Sequence, residues 1–277
     1  MDLASEIERN VAAALAEDMG GGDATAPLTP AGTPARARVL CRQEAVLCGQ
    51  PWFDACFRKL DARVTVTWQA AEGSKVRAGA QVCEIQGEAR ALLAAERTAL
   101  NFLQTLSAVA TATRRFVEAA AGTRAKILDT RKTLPGLRFA QKYAVRTGGG
   151  SNHRMGLYDA MLIKENHIAA AGGVAEALVE AKKHARPGIW MQIEVENLSQ
   201  LKKALDAGAP LILLDNMSLD QMREAVKIAG DRAELEASGG INLENVRAVA
   251  ETGVHRISIG SLTKDVKAVD FSMRFET

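Results

Sequence analysis

The side chains that could do chemistry are concentrated in one stretch of the sequence, residues 126–168, where cations and histidines follow short apolar segments. In α/β enzymes, the loops after the carboxyl ends of the strands carry the reactive groups. Arginine binds a carboxylate through two parallel hydrogen bonds, and lysine acts as a point charge. We therefore expect a cationic pocket for a polyanionic small molecule. Its candidate residues are Thr130, Arg131, Lys132, His153, Arg154 and Lys164.

Two carboxylates, Glu194 and Asp215, also follow apolar segments and are expected to face the same pocket. Carboxylates suit ribose hydroxyls, or a Mg²⁺ ion that arrives with a diphosphate. They leave the cations in excess, and unpaired cations in a cavity cost desolvation free energy. A small dicarboxylate together with a phosphorylated sugar would balance this charge. His153 is open to three interpretations: a neutral hydrogen-bond donor, a proton carrier, or a core histidine bonded to a backbone carbonyl.

Two glycine-containing segments late in the chain predict a phosphate site. Ser238, Gly239 and Gly240 precede a predicted helix over residues 243–251, and a second glycine segment lies at 260–261. After the last two strands of an α/β barrel, such loops commonly bind phosphate through backbone N–H groups. Two ordinary glycine turns are the alternative interpretation.

Apolar segments alternate with helical stretches throughout the region that follows Gly122. Repeated strand–helix units with nearly continuous apolar strands predict a parallel sheet covered by helices. Six such strands favour closure into a TIM-like barrel over an open sheet. The predicted strands are 126–128, 160–163, 190–195, 211–214, 233–237 and 256–259, with helices at 174–185, 198–207, 219–229 and 243–251.

The preceding part of the chain has a different pattern. Short extended runs separated by glycines, with a few helical segments, predict a small α+β region. A long helix over residues 92–121 is expected to lead into the second domain. The tail, about 267–277, alternates like a strand and is expected to return to the first domain. The sequence thus predicts an N-terminal α+β domain over 1–108 and an α/β barrel over 109–266.

The composition excludes several classes of protein. A chain of 277 residues with 47% hydrophobic residues is globular, and a net charge of +2 without a basic run argues against a nucleic-acid partner. The cysteines form no C-x-x-C pair, so buried reduced thiols are expected rather than a zinc site. The N-terminus is acidic and amphipathic, unlike a signal peptide, and no apolar segment reaches about 18 residues. We expect a cytoplasmic protein with no membrane partner.

Five segments of the sequence closely resemble the quinolinate phosphoribosyltransferase family, also called nicotinate-nucleotide pyrophosphorylase (carboxylating). The segments are ERTALNFLQ (96–104), DTRKTLPGLR (129–138), KYAVRTGGGSNHRMGLYDAMLIKENH (142–167), LLDN (213–216) and ASGGI (237–241). The resemblance covers nearly the whole chain. It implies an N-terminal α/β sandwich domain and an incomplete TIM-like α/β barrel. It also implies a homodimer or a dimer-based hexamer, with an active site that the neighbouring subunit completes.

The activity that this resemblance implies is that of a pentosyltransferase in NAD biosynthesis. Quinolinate reacts with 5-phosphoribosyl 1-pyrophosphate (PRPP), giving nicotinate mononucleotide, pyrophosphate and CO₂. Arg97 matches an arginine donated by the neighbouring subunit, although the pattern alone equally allows a solvated helix residue. Lys132, Glu194 and Asp215 match catalytic positions, and Mg²⁺ would contact the two carboxylates directly or indirectly. By resemblance, quinolinate contacts Arg97, Thr130, Arg131, Lys132, His153, Arg154 and Lys164, and the phosphoribosyl group contacts Glu194, Asp215, Ser238, Gly239, Gly240, Ser258, Ile259, Gly260 and Ser261.

Two positions depart from the pattern of the family. Gln192 stands where an acidic residue is usual, which puts a secondary contact in doubt, and Thr147 replaces a frequent cysteine. Other functions stay open: a transferase for nicotinate, a homologue associated with molybdate uptake, or an anion-binding homologue without turnover. The intact His153, Arg154 and Lys164 favour a dicarboxylate substrate, because a monocarboxylate needs fewer cations.

Overall fold

The computed structural model describes residues 2–276 and divides into two compact units. The first unit contains the residues up to Arg114, the segment Leu134–Gly149 and the residues from Asp265 onward; the second contains Arg115–Thr133 and Gly150–Lys264. One unit has small antiparallel sheets and the other has a parallel sheet, which confirms the predicted mixed α/β class.

The helices and strands follow one another along the chain with short connections. In chain order they are α1 (Leu3–Met19), β1 (Pro34–Cys41), β2 (Ala45–Val46), α2 (Gln50–Leu60), β3 (Thr65–Trp68), β4 (Lys75–Val76), β5 (Gln81–Glu88), α3 (Ala89–Ala119), β6 (Lys126–Leu128), α4 (Arg138–Thr147), β7 (Ala160–Ile163), α5 (Glu165–Ala171), α6 (Val174–His184), β8 (Trp190–Val195), α7 (Leu198–Asp206), β9 (Leu211–Asp215), α8 (Leu219–Ala229), β10 (Glu234–Ser238), α9 (Val246–Ala250), β11 (Arg256–Ser258), α10 (Ser261–Lys264) and β12 (Phe271–Phe275).

The first unit is built on a four-stranded sheet in the order β12–β1–β5–β3, beside a two-stranded β2–β4 sheet. Alternate residues of β1 are buried, as expected for a strand with one face on a core. Helix α2 contributes Trp52, Phe53 and Phe57 to that core, and the indole N–H of Trp52 donates to Asn10 Oδ1 at 3.1 Å. The C-terminal tail forms β12, which pairs antiparallel with β1 as an edge strand.

Helix α4 lies within the stretch of sequence predicted as barrel but clusters with the first unit. Its residues Ala140, Ala144 and Val145 are buried in the hydrophobic cluster of that unit. The amphipathic spacing of a helix identifies its apolar face, but it does not identify the sheet that the face covers.

The second unit contains a six-stranded parallel sheet in the order β6–β11–β10–β9–β8–β7. Strand β9 is a nearly continuous apolar segment, as expected when both faces of a parallel sheet are covered. Within residues 2–276, no ladder joins β6 to β7. The two outer strands are instead linked through the loop that precedes β7, because Leu128 forms an isolated parallel bridge with Ser151.

Side chains on the inner face of this sheet converge as they do in a barrel. Gln192 on β8 and Glu236 on β10 flank β9, and in a flat sheet their strands would lie about 10 Å apart. The Nε2 atom of Gln192 nevertheless lies 3.1 Å from Glu236 Oε2. Contacts between alternate strands build the interior layers of α/β barrels.

The strands of the second unit begin and end close to the predicted limits, but two helices differ from the prediction. Helix α5, which directly follows Lys164, is absent from the predicted elements. Its entry is fixed by a hydrogen bond from Lys164 N to His167 Nδ1 at 3.0 Å. The predicted helix at 243–251 is shorter. The residues just before it form a turn that is held by Asn242 Oδ1, which accepts from the backbone N of Asn245 at 3.1 Å.

The part of the chain that the structure describes has no helix long and apolar enough to cross a membrane. All four cysteines are free thiols with buried side chains. Burial raises the pKa of the Cys56 thiol to about 12 and raises the pKa of Cys83 as well. These thiols are therefore poor nucleophiles, because only the thiolate reacts.

Candidate active site

The candidate site lies at the carboxyl edge of the parallel sheet in the second unit. The parallel register places Ser238 beside Asp215 and Ser258 beside Leu128, so the loops after successive strands leave the sheet at one edge. The predicted site residues within this unit all lie at this edge or on the strands that lead to it. Arg97 belongs to the first unit, where it is exposed on α3.

The buried carboxylate of Asp129 fixes the loop that carries His153 and Arg154. Asp129 follows β6 and accepts from Asn152 Nδ2 at 2.5 Å and from the backbone N of His153 at 2.9 Å. The loop is thus tied to the end of β6, although it immediately precedes β7. Because of these bonds, side chains more than 20 residues apart in sequence share one edge.

Arg154 is a buried cation at this edge. Only 9% of the residue is exposed, and its Nη1 donates to the carbonyl oxygen of Ala160 at 3.1 Å. Burial lowers the pKa of Arg154, and the positive charge of Arg131 lowers it further. The guanidinium stays protonated at neutral pH because its ordinary pKa is so high. The charge of Asp159 raises the pKa of Arg154 and so partly offsets these effects. A carboxylate ligand would suit a guanidinium at this edge.

Lys132 connects this cationic region to the last loop of the sheet. Its backbone N donates to Thr130 Oγ1 at 3.0 Å, and its carbonyl oxygen accepts from Thr263 Oγ1 at 2.7 Å. A Cβ atom at Gly260 would lie 3.0 Å from Lys132 Cδ, tighter than an ordinary contact. Glycine at this position leaves room for the exposed lysine side chain to pass the loop.

Glu194 is a carboxylate with a raised pKa. Burial is the main cause, the charge of Asp215 acts in the same direction, and Lys164 opposes them. Lys164 Nζ lies 3.9 Å from Glu194 Oε2, with the lysine side chain half exposed and the glutamate side chain largely buried. The charge of Asp215, at the end of the neighbouring strand, thus acts on Glu194.

Glu194 and Asp215 are two carboxylates of the type that Mg²⁺ prefers as ligands. Within the described residues, no group of three or more His, Cys, Asp or Glu side chains could hold a metal ion. Mg²⁺ usually binds through one or two carboxylates together with substrate phosphates and water. Glu194 and Asp215 are sufficient only for an ion that arrives with a phosphate ligand.

The loop after β10 depends on glycine because Asn216 occupies the adjacent space. Asn216 has a positive φ of 53°, and its Nδ2 donates to Asp215 Oδ2 at 3.0 Å. Gly239 has a φ of 100°, and a Cβ atom there would lie 2.0 Å from Asn216 Oδ1. Gly240 has a φ of 61°, and its carbonyl oxygen accepts from Asn245 Nδ2 at 3.0 Å. This part of the site is therefore shaped by backbone conformation.

Glu236 is a polar residue near the site that the sequence did not identify, and Gln192 was noted only as a departure from a pattern. Both are buried, with exposures of 0% and 1%. His153 Nε2 lies 3.0 Å from Gln192 Oε1, which in turn is part of the amide that donates to Glu236. Glu236 alternates with Glu234 along β10, the pattern of a solvated strand face, although Glu234 is exposed and Glu236 is buried. It was missed because strand alternation alone does not distinguish an inner layer from a solvated face.

Comparison with known proteins supports the resemblance along the whole chain. Residues 23–107 match the model for the N-terminal domain of quinolinate phosphoribosyl transferase, and residues 109–274 match the model for its C-terminal domain. Neither match depends on a short motif alone.

Individual relatives cover almost the same length. The chain is 42% identical over 257 residues to the probable nicotinate-nucleotide pyrophosphorylase (carboxylating) of Bacillus subtilis, covering 93% of this chain and 89% of the relative. It is 43% identical to the Mycobacterium leprae enzyme of that name, covering 94% of each chain. The solved structure of the nicotinate-nucleotide pyrophosphorylase from Francisella tularensis has a TM-score of 0.96 and 44% identity, covering 100% of this chain and 98% of that one. The chain belongs to the quinolinate phosphoribosyltransferase family.

Proposed function

We propose that this protein transfers the phosphoribosyl group of PRPP to quinolinate and decarboxylates the product, yielding nicotinate mononucleotide for NAD biosynthesis. The observation that carries the proposal is the arrangement at one sheet edge: the buried guanidinium of Arg154 near β6 and β7, and glycine loops after β10 and β11. The cationic part suits two carboxylates, and the glycine loops suit a 5′-phosphate.

Each substrate has its own set of residues in this proposal. Arg131, Arg154 and Lys164 bind the dicarboxylate, with Thr130 and His153 beside them, and Lys132 lies between the two substrates. Glu194 and Asp215 face the ribose. The loop residues Ser238, Gly239, Gly240, Ser258, Ile259, Gly260 and Ser261 bind the 5′-phosphate.

The reaction requires little covalent chemistry from the protein. The bond from ribose C1 to pyrophosphate breaks with its electron pair on the leaving group, and the pyridine nitrogen forms the new bond to C1. The ribose is positively charged as this happens, so nearby carboxylates stabilise it. The bond to the 2-carboxylate then breaks, CO₂ leaves, and the electron pair beside the cationic ring nitrogen takes up a proton. The protein supplies position and electrostatic field.

Magnesium is proposed as the companion of PRPP. Glu194 and Asp215 would hold it with the diphosphate, and the ion would neutralise charge on the leaving group. A metal titration of turnover tests this. We expect no turnover in the presence of EDTA and full recovery with Mg²⁺, whereas turnover that persists in EDTA would contradict the proposal.

A homodimer, alone or assembled into a hexamer, is proposed to share its active sites through Arg97. The supporting feature is an exposed arginine on a long helix in a unit separate from the other site residues. R97A and R131A should each be inactive alone. Mixed and reassociated, half of the dimers would contain one intact site, so about a quarter of the wild-type activity should return. No recovery would contradict a shared site.

The cytoplasm is the proposed location of the protein. Four buried free thiols suit a reducing compartment. Fractionation of the source cells, followed by detection of the protein and its activity, tests this proposal.

The direct test of the proposed function supplies purified protein with quinolinate, PRPP and Mg²⁺ and follows nicotinate mononucleotide by chromatography, with nicotinate in a parallel reaction. We expect product from quinolinate only. Product from nicotinate only would assign the protein to a transferase for a monocarboxylate. Binding of both substrates without product would indicate a homologue that lost turnover.

A further inference from the structure

A buried hydrogen-bonded chain leads from the middle of the sheet to the backbone of Arg154. It begins at Glu236 on β10, whose Oε2 accepts from Gln192 Nε2 at 3.1 Å. Gln192 Oε1 lies 3.0 Å from His153 Nε2. His153 Nδ1 accepts from the backbone N of Arg154 at 2.8 Å. Three consecutive contacts thus join the inner layer of the sheet to a residue of the proposed dicarboxylate pocket.

Only one arrangement of protons is consistent with all three contacts. A backbone N–H can only donate, so His153 Nδ1 must be the unprotonated acceptor. The ring hydrogen of the neutral imidazole then lies on Nε2, which donates to Gln192 Oε1. The amide of Gln192 is oriented in turn, because its N–H donates to the carboxylate of Glu236. Each donor in the chain has an acceptor. The orientation of the His153 ring depends on the Gln192 amide, and the orientation of that amide depends on the Glu236 carboxylate.

Both ring nitrogens of His153 are therefore used inside the protein. The side chain is only 7% exposed, and the ring packs against Trp190 in an edge-on contact with centroids 5.1 Å apart. The guanidinium of Arg256 also lies over the ring of Trp190, 5.9 Å from its centroid. The ring is thus held by packing as well as by hydrogen bonds, which suits a positioning role better than proton transfer.

Glu236 has an oxygen that this chain does not use. Oε1 lies 3.5 Å from His153 Nε2, which is an ion-pair distance but too long and poorly aligned for a hydrogen bond. The Nε2 hydrogen of His153 is directed to Gln192, so His153 forms its hydrogen bond with Gln192 and none with Glu236. Glu236 consequently acts on His153 through the amide.

We propose that Glu236 and Gln192 are positioning residues: they fix His153 as a neutral imidazole with its hydrogen on Nε2, and His153 in turn fixes the backbone of Arg154. The guanidinium of Arg154 is held at its other end by Ala160. The chain therefore sets the position of a cation that recognises a carboxylate of the substrate. The consequence for substrate binding rests on the proposed function, whereas the state of the imidazole does not.

The state of the imidazole is tested by NMR on the full-length protein labelled with ¹⁵N in its histidine rings. The His153 signals are identified by their absence from H153N. At neutral pH we expect a protonated Nε2 and an unprotonated Nδ1. A hydrogen on Nδ1, or hydrogens on both nitrogens, would overturn the proposed chain.

Kinetics of three isosteric variants test the positioning role. Q192E places one carboxylate against another and removes the donor to Glu236, so KM for quinolinate should rise about tenfold. E236Q keeps an acceptor for Gln192 and should have a smaller effect. In the double variant Q192E/E236Q the amide and the carboxylate exchange places. The amide introduced on β10 donates to the carboxylate introduced on β8, and that carboxylate accepts from His153. The chain is complete again, and KM should return to within about threefold of the wild-type value.

A role in packing alone predicts a different pattern, because the three variants barely change side-chain volume. Equal KM values in all variants, or a double variant no better than Q192E, would overturn the proposal. KM for PRPP should change less than about twofold. The exposed Gln221 of α8 gives the matched control Q221E, which should behave as wild type. If wild-type protein does not use quinolinate, the proposed function fails, while the NMR result still decides the hydrogen-bonded chain.

Discussion

The two sides of the candidate site differ in the groups that would contact a bound anion. Near β6 and β7, charged side chains dominate: Arg154 is buried beside the charge of Arg131, and its position depends on hydrogen bonds from side chains and backbone. After β10, the backbone dominates, because Gly239 adopts a conformation and a close contact that only glycine permits. We therefore expect the first side to recognise a substrate by charge and the second by shape.

The largest effect is expected from removal of charge on the first side. R131A should lower kcat/KM for quinolinate about 10³-fold, because it removes a cation that is proposed to bind a carboxylate of the substrate. K164A should act in the same direction. Turnover should be effectively abolished, while the thermal midpoint changes by less than about 2 °C. Steady-state kinetics and thermal unfolding measure both quantities, and near-normal rates in either variant would remove these residues from the site.

On the second side, G239A should raise KM for PRPP about 100-fold through the clash with Asn216 and the positive φ. KM for quinolinate should change much less. The matched control is G230A, since Gly230 also has a positive φ but has no atom within 4 Å of an added Cβ. That control should lose about 1 kcal/mol of stability without a change in KM. Equal KM defects in the two variants would contradict a specific role for Gly239.

Glu194 connects the two sides. Its ionised carboxylate should be required for activity but should lower the stability of the folded protein. Its raised pKa means that the folded state disfavours the ionised form relative to the unfolded state. The stability associated with the protonated form is present below the unfolded pKa and is lost as pH rises through the folded pKa. E194Q, which stays neutral, should therefore be inactive yet have a higher thermal midpoint than wild type at neutral pH.

The pH dependence of this gain is the informative measurement. Thermal unfolding of E194Q and wild type should converge as the pH falls below the ordinary glutamate value of 4.5. A gain that is independent of pH would indicate that burial of charge is not its cause.

The smallest effect is expected from N245A. Asn245 Nδ2 donates to the carbonyl oxygen of Gly240, so the variant loses one hydrogen bond of the second side. KM for PRPP should rise about threefold, corresponding to a hydrogen bond of modest strength. KM for quinolinate should stay constant. A shift in the quinolinate KM instead would show that the two sides are not separable.

Much of the second unit could be predicted from the sequence, because its strands are apolar segments and its charges follow them. Lys164, Glu194 and Asp215 are examples: each lies at the end of a strand, at the edge where the argument from parallel topology places it. Glycines 239 and 240 were likewise identified as loop residues, and their positive φ values give the physical reason for their type.

Other features depend on contacts between residues far apart in the sequence, and the spacing of residue types does not predict such contacts. The contact of Gln192 with Glu236 joins strands that are not neighbours and follows from the convergence of inner-face side chains. The attachment of α4 to the first unit depends on which apolar surface is available to its buried face. The hydrogen bonds of the two His153 ring nitrogens also depend on tertiary structure, because Nε2 contacts Gln192 of β8 and Nδ1 accepts from the backbone N of Arg154.

One side of the site is expected to recognise charge and the other to recognise shape. Calorimetric binding of two unreactive fragments tests this division most directly. Phthalate carries two adjacent carboxylates on a ring without nitrogen, and ribose 5-phosphate carries the phosphate without the pyrophosphate. We expect R131A to lose phthalate and keep ribose 5-phosphate, and G239A to do the reverse. Loss of both fragments in both variants, or of neither, would contradict the division.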